Sequence, residues 1–317
     1  MVEQFHRPAT IQDALSLKRR FQGRAAFLAG GTLANAKDSR LHPEHWISLA
    51  GLKLDRIDLK HGGLIIGALC PLQRLIEDPR TPEPLRAAAA QIVSRNVRNM
   101  ATIGGHVAAN LPYSDLIPML IALDAEVELP GLRVAKRVSV MDYITTGATS
   151  GSTMRVRSAT KSGVMSRCTS ACAPGCTSAC ASGVSSAPTS GSNRLITRII
   201  VPRSDRNRVA ACGNVRESAN ARSLLSVAVS LTLTDFDIHD PIIAVGGVGP
   251  HVVRLTSAER ALDGKPLPPT GKLAAMISRC VRPTSTPFAS AAYVKHQAGA
   301  VVSSAFQKAL RPKGGRG

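Results

Sequence analysis

The residues best suited to chemistry are two glycine turns, Ala29-Gly30-Gly31-Thr32 and Thr102-Ile103-Gly104-Gly105, about seventy residues apart. Adjacent glycines leave successive backbone N–H groups with no Cβ in the way, and such concave nests bind phosphate oxygens. Thr32 and Thr102 add hydroxyl donors, so two converging nests suit a pyrophosphate. Glycines alone read equally as ordinary strand-to-turn residues. The chain has neither G-x-G-x-x-G nor G-x-x-x-x-G-K-[ST], so a Rossmann fingerprint and a P-loop are both absent. A second constellation is Cys168, Cys172, Cys176 and Cys180, four thiols at strict four-residue intervals. That raises an iron–sulfur or zinc site, although the spacing fits no common ferredoxin or zinc pattern.

The elements around the turns follow from local pattern. Residues 10–22 place Ile11, Ala14, Leu15 and Leu17 near one helical face, with Thr10 as N-cap and Asp13 as a weak capping-box partner. A short strand, Ala25 to Ala29, runs into the first glycine turn. Further strands start near Trp46 and Gly62. A helix begins over Leu72–Ile76 behind Pro71, and a longer one spans about Pro84–Ser94. The second glycine turn reads as a loop, followed by a helix from about Ser114 to Leu123 and a strand over Ala125–Leu129. Leu195–Pro202 alternates as a strand, and the stretch from Ala219 reads as a helix running into a strand. Ile242–Pro250 is a strand ending in a glycine turn. Leu255–Leu262 is a helix capped by Thr256, and a last amphipathic helix lies between about Ala289 and Leu310.

The 317 residues allow two or three compact domains. Aromatics make up only 3%, so cores are built from Ala, Val, Leu and Ile, and a base-stacking platform is disfavoured. The formal charge of +19 points toward nucleic acid or an acidic surface. Residues 151–222 hold eleven Lys and Arg against Asp205 and Glu217, but no nucleic-acid motif accompanies them. A basic nucleic-acid-binding protein therefore stands as a minor alternative. The N-terminus lacks a signal-peptide pattern, no apolar run reaches the roughly 18 residues that span a bilayer, and seven cysteines form no even framework. The chain reads as soluble and cytoplasmic.

From about 146 to 193 Ser, Thr, Ala, Gly and Cys dominate. Such a segment cannot bury enough area to offset its ordering entropy, so disorder is expected. The direct repeat CTSACAPG–CTSACASG, residues 168–183, accounts for the cysteine period without any metal, and Pro174-Gly175 would break a helix that aligned the thiols.

ATIGGHVAANLPYSDLIPMLIALDAEV, together with AGGTLA, LITRIIVP, ARSLLSVAVSLTL and AVGGVGPHVVRLTSAERALDGKPL, resembles the FAD-binding medium subunit of the molybdenum hydroxylase or xanthine dehydrogenase family. The likeness covers residues 1–145 and 194–305. The opening MVEQFHRPATIQDALSLKRR looks nearest to a bacterial branch found beside selenium-dependent hydroxylases. The resemblance implies an α+β chain. A two-part FAD-binding domain of the PCMH type, 1–145 with subdomains of about 1–55 and 56–145, precedes the 146–193 insertion. A smaller α+β domain of the CO dehydrogenase flavoprotein type, 194–310, and a frayed tail, 311–317, follow.

Carried over residue by residue, Ala29, Gly30, Gly31, Thr32 and the neighbouring Leu33 would hold the FAD pyrophosphate from one side. Thr102, Ile103, Gly104 and Gly105 would hold it from the other. Asn110 would adjoin the cofactor, and Asp115 would bond ribityl or ribose hydroxyls; helix capping is its plainer role. Tyr113 is as readily a turn residue as a cofactor neighbour. The family implies no catalytic side chain and no metal ligand in this subunit. The flavin would take electrons from a [2Fe–2S] subunit and pass them to NAD⁺ or another acceptor, while a molybdopterin subunit oxidises substrate in a heterotrimer. Leu33, His106 and Asn214 depart from an acid, an asparagine and a lysine usual in the family, and RPTSTPFASAAYVKH keeps Tyr293 but lacks an expected aspartate. A flavin subunit that docks its partners without FAD is therefore the first alternative. Within the family, 4-hydroxybenzoyl-CoA reductases carry a [4Fe–4S] loop directly after the second glycine turn. The cysteines here come much later in the chain, which disfavours a cluster.

Overall fold

The computed structural model describes residues 3–34, 42–60, 62–92, 94–131, 134–149, 194–203, 207–218, 221–234, 237–286 and 288–311. The cysteine repeat, most of the low-complexity segment and the tail lie outside them.

The first unit is a three-stranded parallel sheet. β1 (Gln4–His6) is followed by helix α1 (Ile11–Phe21), β2 (Ala25–Leu28) and β3 (His45–Ser48), in the order β1-β3-β2. The Thr10 hydroxyl caps α1 by accepting from the Asp13 N–H, and it donates to the Asp13 carboxylate at 2.7 Å. Ala14, Ala25, Ile47, Leu49 and Leu195 close a small core between helix and sheet.

The second unit holds β4 (Ile57–Lys60), β5 (Gly63–Gly67), α2 (Leu72–Glu77), α3 (Glu83–Ala90), α4 (Arg95–Met100), α5 (Ile103–Ala109), α6 (Leu116–Ala122), β6 (Glu126–Leu129), β7 (Lys136–Ser139) and α7 (Val140–Thr149). Its antiparallel sheet runs β4-β5-β8-β6-β7, where β8 is Arg198–Pro202. The strand that the sequence reading attaches to the C-terminal part is thus the middle of the FAD-domain sheet. Ile199 and Val201 complete its core, so the low-complexity segment interrupts this unit and does not follow it. The helix expected to run to Ser94 ends at Ala90, and a further helix starts beyond that span at Arg95 with the Ser94 hydroxyl as cap.

The third unit is a sheet of order β12-β11-β10-β9, formed by β9 (Arg208–Arg216), β10 (Ser223–Thr234), β11 (Asp237–Gly246) and β12 (Val253–Arg254). Helix α8 (Thr256–Leu262) follows, β13 (Lys265–Pro266) pairs with β11, and α9 (Thr270–Cys280) and α10 (Ala291–Leu310) complete the chain. Side chains alternate across a strand. Val227, Val229, Ile243 and Val245 therefore pack on α8–α10, while Ala228, Ile242 and Ala244 join the core of the second unit. This two-sided burial explains why ARSLLSVAVSLTL is strand throughout its described residues from Ser223, where the sequence suggested a helix first. Helix α8 starts at Thr256 with no side-chain cap, so Thr256 does not take the expected role. No helix among the described residues is long and apolar enough to cross a membrane.

Candidate functional site

The two glycine turns converge. A Cβ built on Gly30 would stand 1.7 Å from the Met100 carbonyl oxygen, so only glycine lets the first turn lie against the chain that enters the second. A Cβ on Gly105 would fall 3.6 Å from the Ala29 side chain. Gly31 has φ +70°, the left-handed region that favours glycine. Among the described residues the N–H groups of Gly30, Gly31 and Thr32 donate to no protein partner. Thr32 and Leu33 are half-buried turn residues. The first turn is therefore an open nest on a rigid sheet end.

The second turn differs from its expectation. Thr102-Ile103-Gly104-Gly105 is not a loop but the cap and first turn of α5. The Thr102 hydroxyl accepts from the Gly105 N–H, and Ile103 and Val107 bury one helical face. Ile103 N–H donates to the Cys70 carbonyl at 3.0 Å, and Gly104 N–H donates to the Ala68 carbonyl at 2.9 Å. Those three donors are spent inside the protein. The glycines serve close approach instead: a Cβ on Gly104 would meet the Ala68 backbone within 2.7 Å. One turn supplies donors, and the other supplies a flat wall.

Asn110 ends α5 in the left-handed conformation, φ 46° and ψ 48°. Its Nδ2 donates to the Ile144 carbonyl at 3.1 Å, but its buried Oδ1 has no hydrogen-bond partner. A buried acceptor left unpaired is costly, and this one is open to a further donor. His106 lies one turn earlier, with Nε2 2.7 Å from the Ser114 hydroxyl. Desolvation holds its pKa down to about 4, so it is neutral at pH 7. The Ser114 oxygen in turn accepts from the Leu116 and Ile117 N–H groups, and Ser114, not Asp115, caps α6.

Asp115 turns away to the C-terminal sheet. Its carboxylate accepts from the Ser223 hydroxyl at 2.7 and 2.8 Å, from Arg216 at 2.9 Å and from Asn214 at 3.2 Å. Burial pushes its pKa up, and the bonds from Ser223 and Asn214 and the charge of Arg216 only partly oppose that. Asp115 thus fills neither of its expected roles in this structure: it neither caps α6 nor keeps lone pairs open to a ligand. Arg216 and Ser223 are the partners that sequence reasoning missed, because more than a hundred residues separate them from Asp115. Tyr113 lies under the Arg222 guanidinium, 5.0 Å from its ring centre. Arg194, Arg198 and Arg208 are likewise engaged within the protein, with Tyr143, Glu128 and Asp124. Much of the described basic stretch is therefore structural.

Residues 1–156 match the family model of the FAD binding domain in molybdopterin dehydrogenase, and residues 211–309 match that of the CO dehydrogenase flavoprotein C-terminal domain. The chain belongs to the FAD-binding medium subunits of the CO dehydrogenase and xanthine dehydrogenase family. It is 30% identical over 305 residues to the uncharacterized protein YgfM of Escherichia coli (strain K12), covering 96% of this chain and 95% of that one. It is 32% identical over 146 residues to the carbon monoxide dehydrogenase medium chain of Afipia carboxidovorans, covering 44% of this chain and 50% of the relative. Its fold matches a solved carbon monoxide dehydrogenase from Hydrogenophaga pseudoflava with a TM-score of 0.77 at 23% identity, over 98% and 97% of the two chains. The cofactor of this oxidoreductase family is FAD. The open nest at Gly30–Thr32 and the unpaired Asn110 oxygen suit such a ligand.

Proposed function

We propose that the chain is the FAD-binding electron-transfer subunit of a molybdenum hydroxylase complex. It takes electrons from a [2Fe–2S] subunit and passes them to NAD⁺ or another acceptor, while a molybdopterin subunit oxidises the substrate. A cytoplasmic heterotrimer, and kinship with the branch found beside selenium-dependent hydroxylases, belong to the same reading. The observation that carries it is the convergence of two glycine turns, one of them with unspent N–H donors, above a helix that ends in an unpaired amide oxygen.

When bound, FAD supplies the exchange between one-electron and two-electron transfer. The protein's part is binding and orientation. Gly30, Gly31 and Thr32 offer backbone donors to the pyrophosphate, with Ala29 and Leu33 framing the turn. Thr102 adds its hydroxyl from the opposite side. Ile103 anchors α5 in the core, and Gly104 and Gly105 keep that wall thin enough for close approach. Asn110 Oδ1 accepts one hydrogen bond from the ligand. Asp115 holds ribityl hydroxyls only if Ser223, Asn214 or Arg216 yields a bond.

A second reading, a docking subunit without FAD, draws support from the spent donors of Ile103, Gly104 and Gly105 and from the engaged Asp115. One experiment separates the two: the visible spectrum of the purified chain, with the released cofactor identified by chromatography. Stoichiometric FAD is expected. A folded, colourless chain that takes up no added FAD would sink the first reading.

A further inference from the structure

The opposite end of the first sheet gathers a different chemistry. β2 and β3 start side by side at Ala25 and His45, whereas the Ala29–Thr32 turn leaves the far end of β2. At the starting end Glu3, Glu44 and His45 each place one ligand atom within 4.8 Å of the other two. Parallel pairing enforces this. Gln4 stands opposite His45, and the N–H groups of Glu3 and Gln4 both donate to the Glu44 carbonyl, at 2.8 and 3.2 Å.

His45 is 6% exposed, and its ring stacks on Phe21 with centroids 3.7 Å apart, which fixes its plane. Its one polar side-chain contact among the described residues is His6 Nε2, 3.4 Å from its Nδ1. That is too long for a firm hydrogen bond. His6 lies outside the three residues whose ligand atoms come within 4.8 Å of one another, so it stands beside the site and not in it. A buried imidazole without a firm partner is costly, and a metal ion would relieve that cost. Imidazole with carboxylates suits zinc-like ions better than calcium or magnesium, which prefer oxygen alone. The two carboxylates balance a dication. The Arg24 partner of Glu44 sits in an exposed pair that exchanges at little cost.

We propose that Glu3, Glu44 and His45, with His6 beside them, form a zinc-class metal site that ties the N-terminal strand to the first sheet. β1 is a three-residue edge strand with two exposed residues, so it gains most from such a tie. The site lies about 10 Å of strand from the glycine turn, so it acts on the sheet and not on the flavin.

The test is calorimetric titration of the full chain with Zn²⁺, repeated on Glu3→Gln, Glu44→Gln and His45→Asn, with thermal melts and FAD content for each. The cysteine segment is common to all four proteins, so only differences between them report on this site. One zinc equivalent is expected to weaken by about ten-fold or more in each variant. The zinc-dependent rise in Tm should vanish while FAD content stays that of the parent. The glutamine variants alter side chains open to solvent and keep the test valid if His45→Asn fails to fold. Identical isotherms and melts in the parent and the glutamine variants would overturn the site. A chain that binds zinc here but no FAD would refute the proposed function and leave the site standing.

Discussion

Gly30→Ala is the sharpest test of the converging turns. The added methyl would stand 1.7 Å from the Met100 carbonyl oxygen and 2.7 Å from its carbon. Carbon and oxygen settle about 3.3 Å apart, so one chain must retreat by about 1.6 Å. The obstacle is backbone at the end of α4, and it leads within two residues to Thr102. That oxygen cannot swing aside as a side chain can. Overpacking of this kind costs about 1–3 kcal/mol, or roughly 2–6 °C in Tm for a chain of this size. The retreat also opens the gap between the donor nest and its wall, so FAD affinity should fall by about ten-fold or more, the equivalent of about 1.4 kcal/mol. Melts of the cofactor-free protein and FAD titration by flavin fluorescence read the two effects separately. Gly23→Ala and Gly271→Ala are the controls, since a Cβ there meets nothing within 4 Å. A Gly30→Ala protein with parental Tm and parental FAD affinity would refute the reasoning.

Arg216→Met leaves the buried Asp115 carboxylate short of its cation and should cost about 3 kcal/mol in urea denaturation, part of which returns in the Asp115→Asn/Arg216→Met double variant. His106 is held neutral in the folded chain down to about pH 4, whereas the unfolded chain takes up its proton near 6.5. The stability tied to His106 is thus fully present above pH 6.5 and is lost as pH falls toward 4, by up to about 2 kcal/mol between pH 7 and pH 5. His106→Asn should flatten that part of the stability profile. Asn110→Gly preserves the positive φ, gives up the Nδ2 bond to the Ile144 carbonyl at a cost of about 1 kcal/mol, and removes the unpaired Oδ1, so FAD binding should weaken several-fold by fluorescence titration. Equal FAD affinity in Asn110→Gly would remove that oxygen from the site.

What was legible in the sequence was local. The Thr10 cap, the strand that ends in Gly30-Gly31 and the apolar helix over Leu116–Ala122 are set by neighbours in the chain. What was not legible depended on distant partners. The helix at Ile103–Ala109 hides behind two glycines that lower its propensity, and it forms because Cys70 and Ala68 accept its first donors. Ser223–Thr234 carries helix-prone residues, yet pairing on both edges makes it a strand. The place of Arg198–Pro202 between β5 and β6 is topological, and no local pattern announces it. Helix α9 was missed although Leu273 and Ile277 stand four apart on its buried face.

The departure at Asn214 and the engaged Asp115 form one physical unit. Asn214 stands where the family resemblance expects a lysine, and Asp115 stands where it expects a ligand to ribityl hydroxyls; here the two side chains are bonded to each other. An asparagine at this point offers a neutral donor, so charge compensation of the buried carboxylate falls to Arg216, two residues along the same strand. Arg216 also bonds the Gln91 carbonyl, and Ser223 bonds both Arg216 and Asp115. The strand pair β9–β10 is thereby fastened to the start of α6, while Ser226 holds the Ser114 carbonyl and Pro112 receives the Gly247 N–H. The bonds to Pro112, Ser114 and Asp115 join the loop after Asn110 to the C-terminal sheet, and the Arg216 bond to Gln91 ties that sheet to the end of α3. A change at Asn214 would therefore act on FAD through the seating of that sheet, and a lysine there would free Arg216 from its role as the principal cation of Asp115.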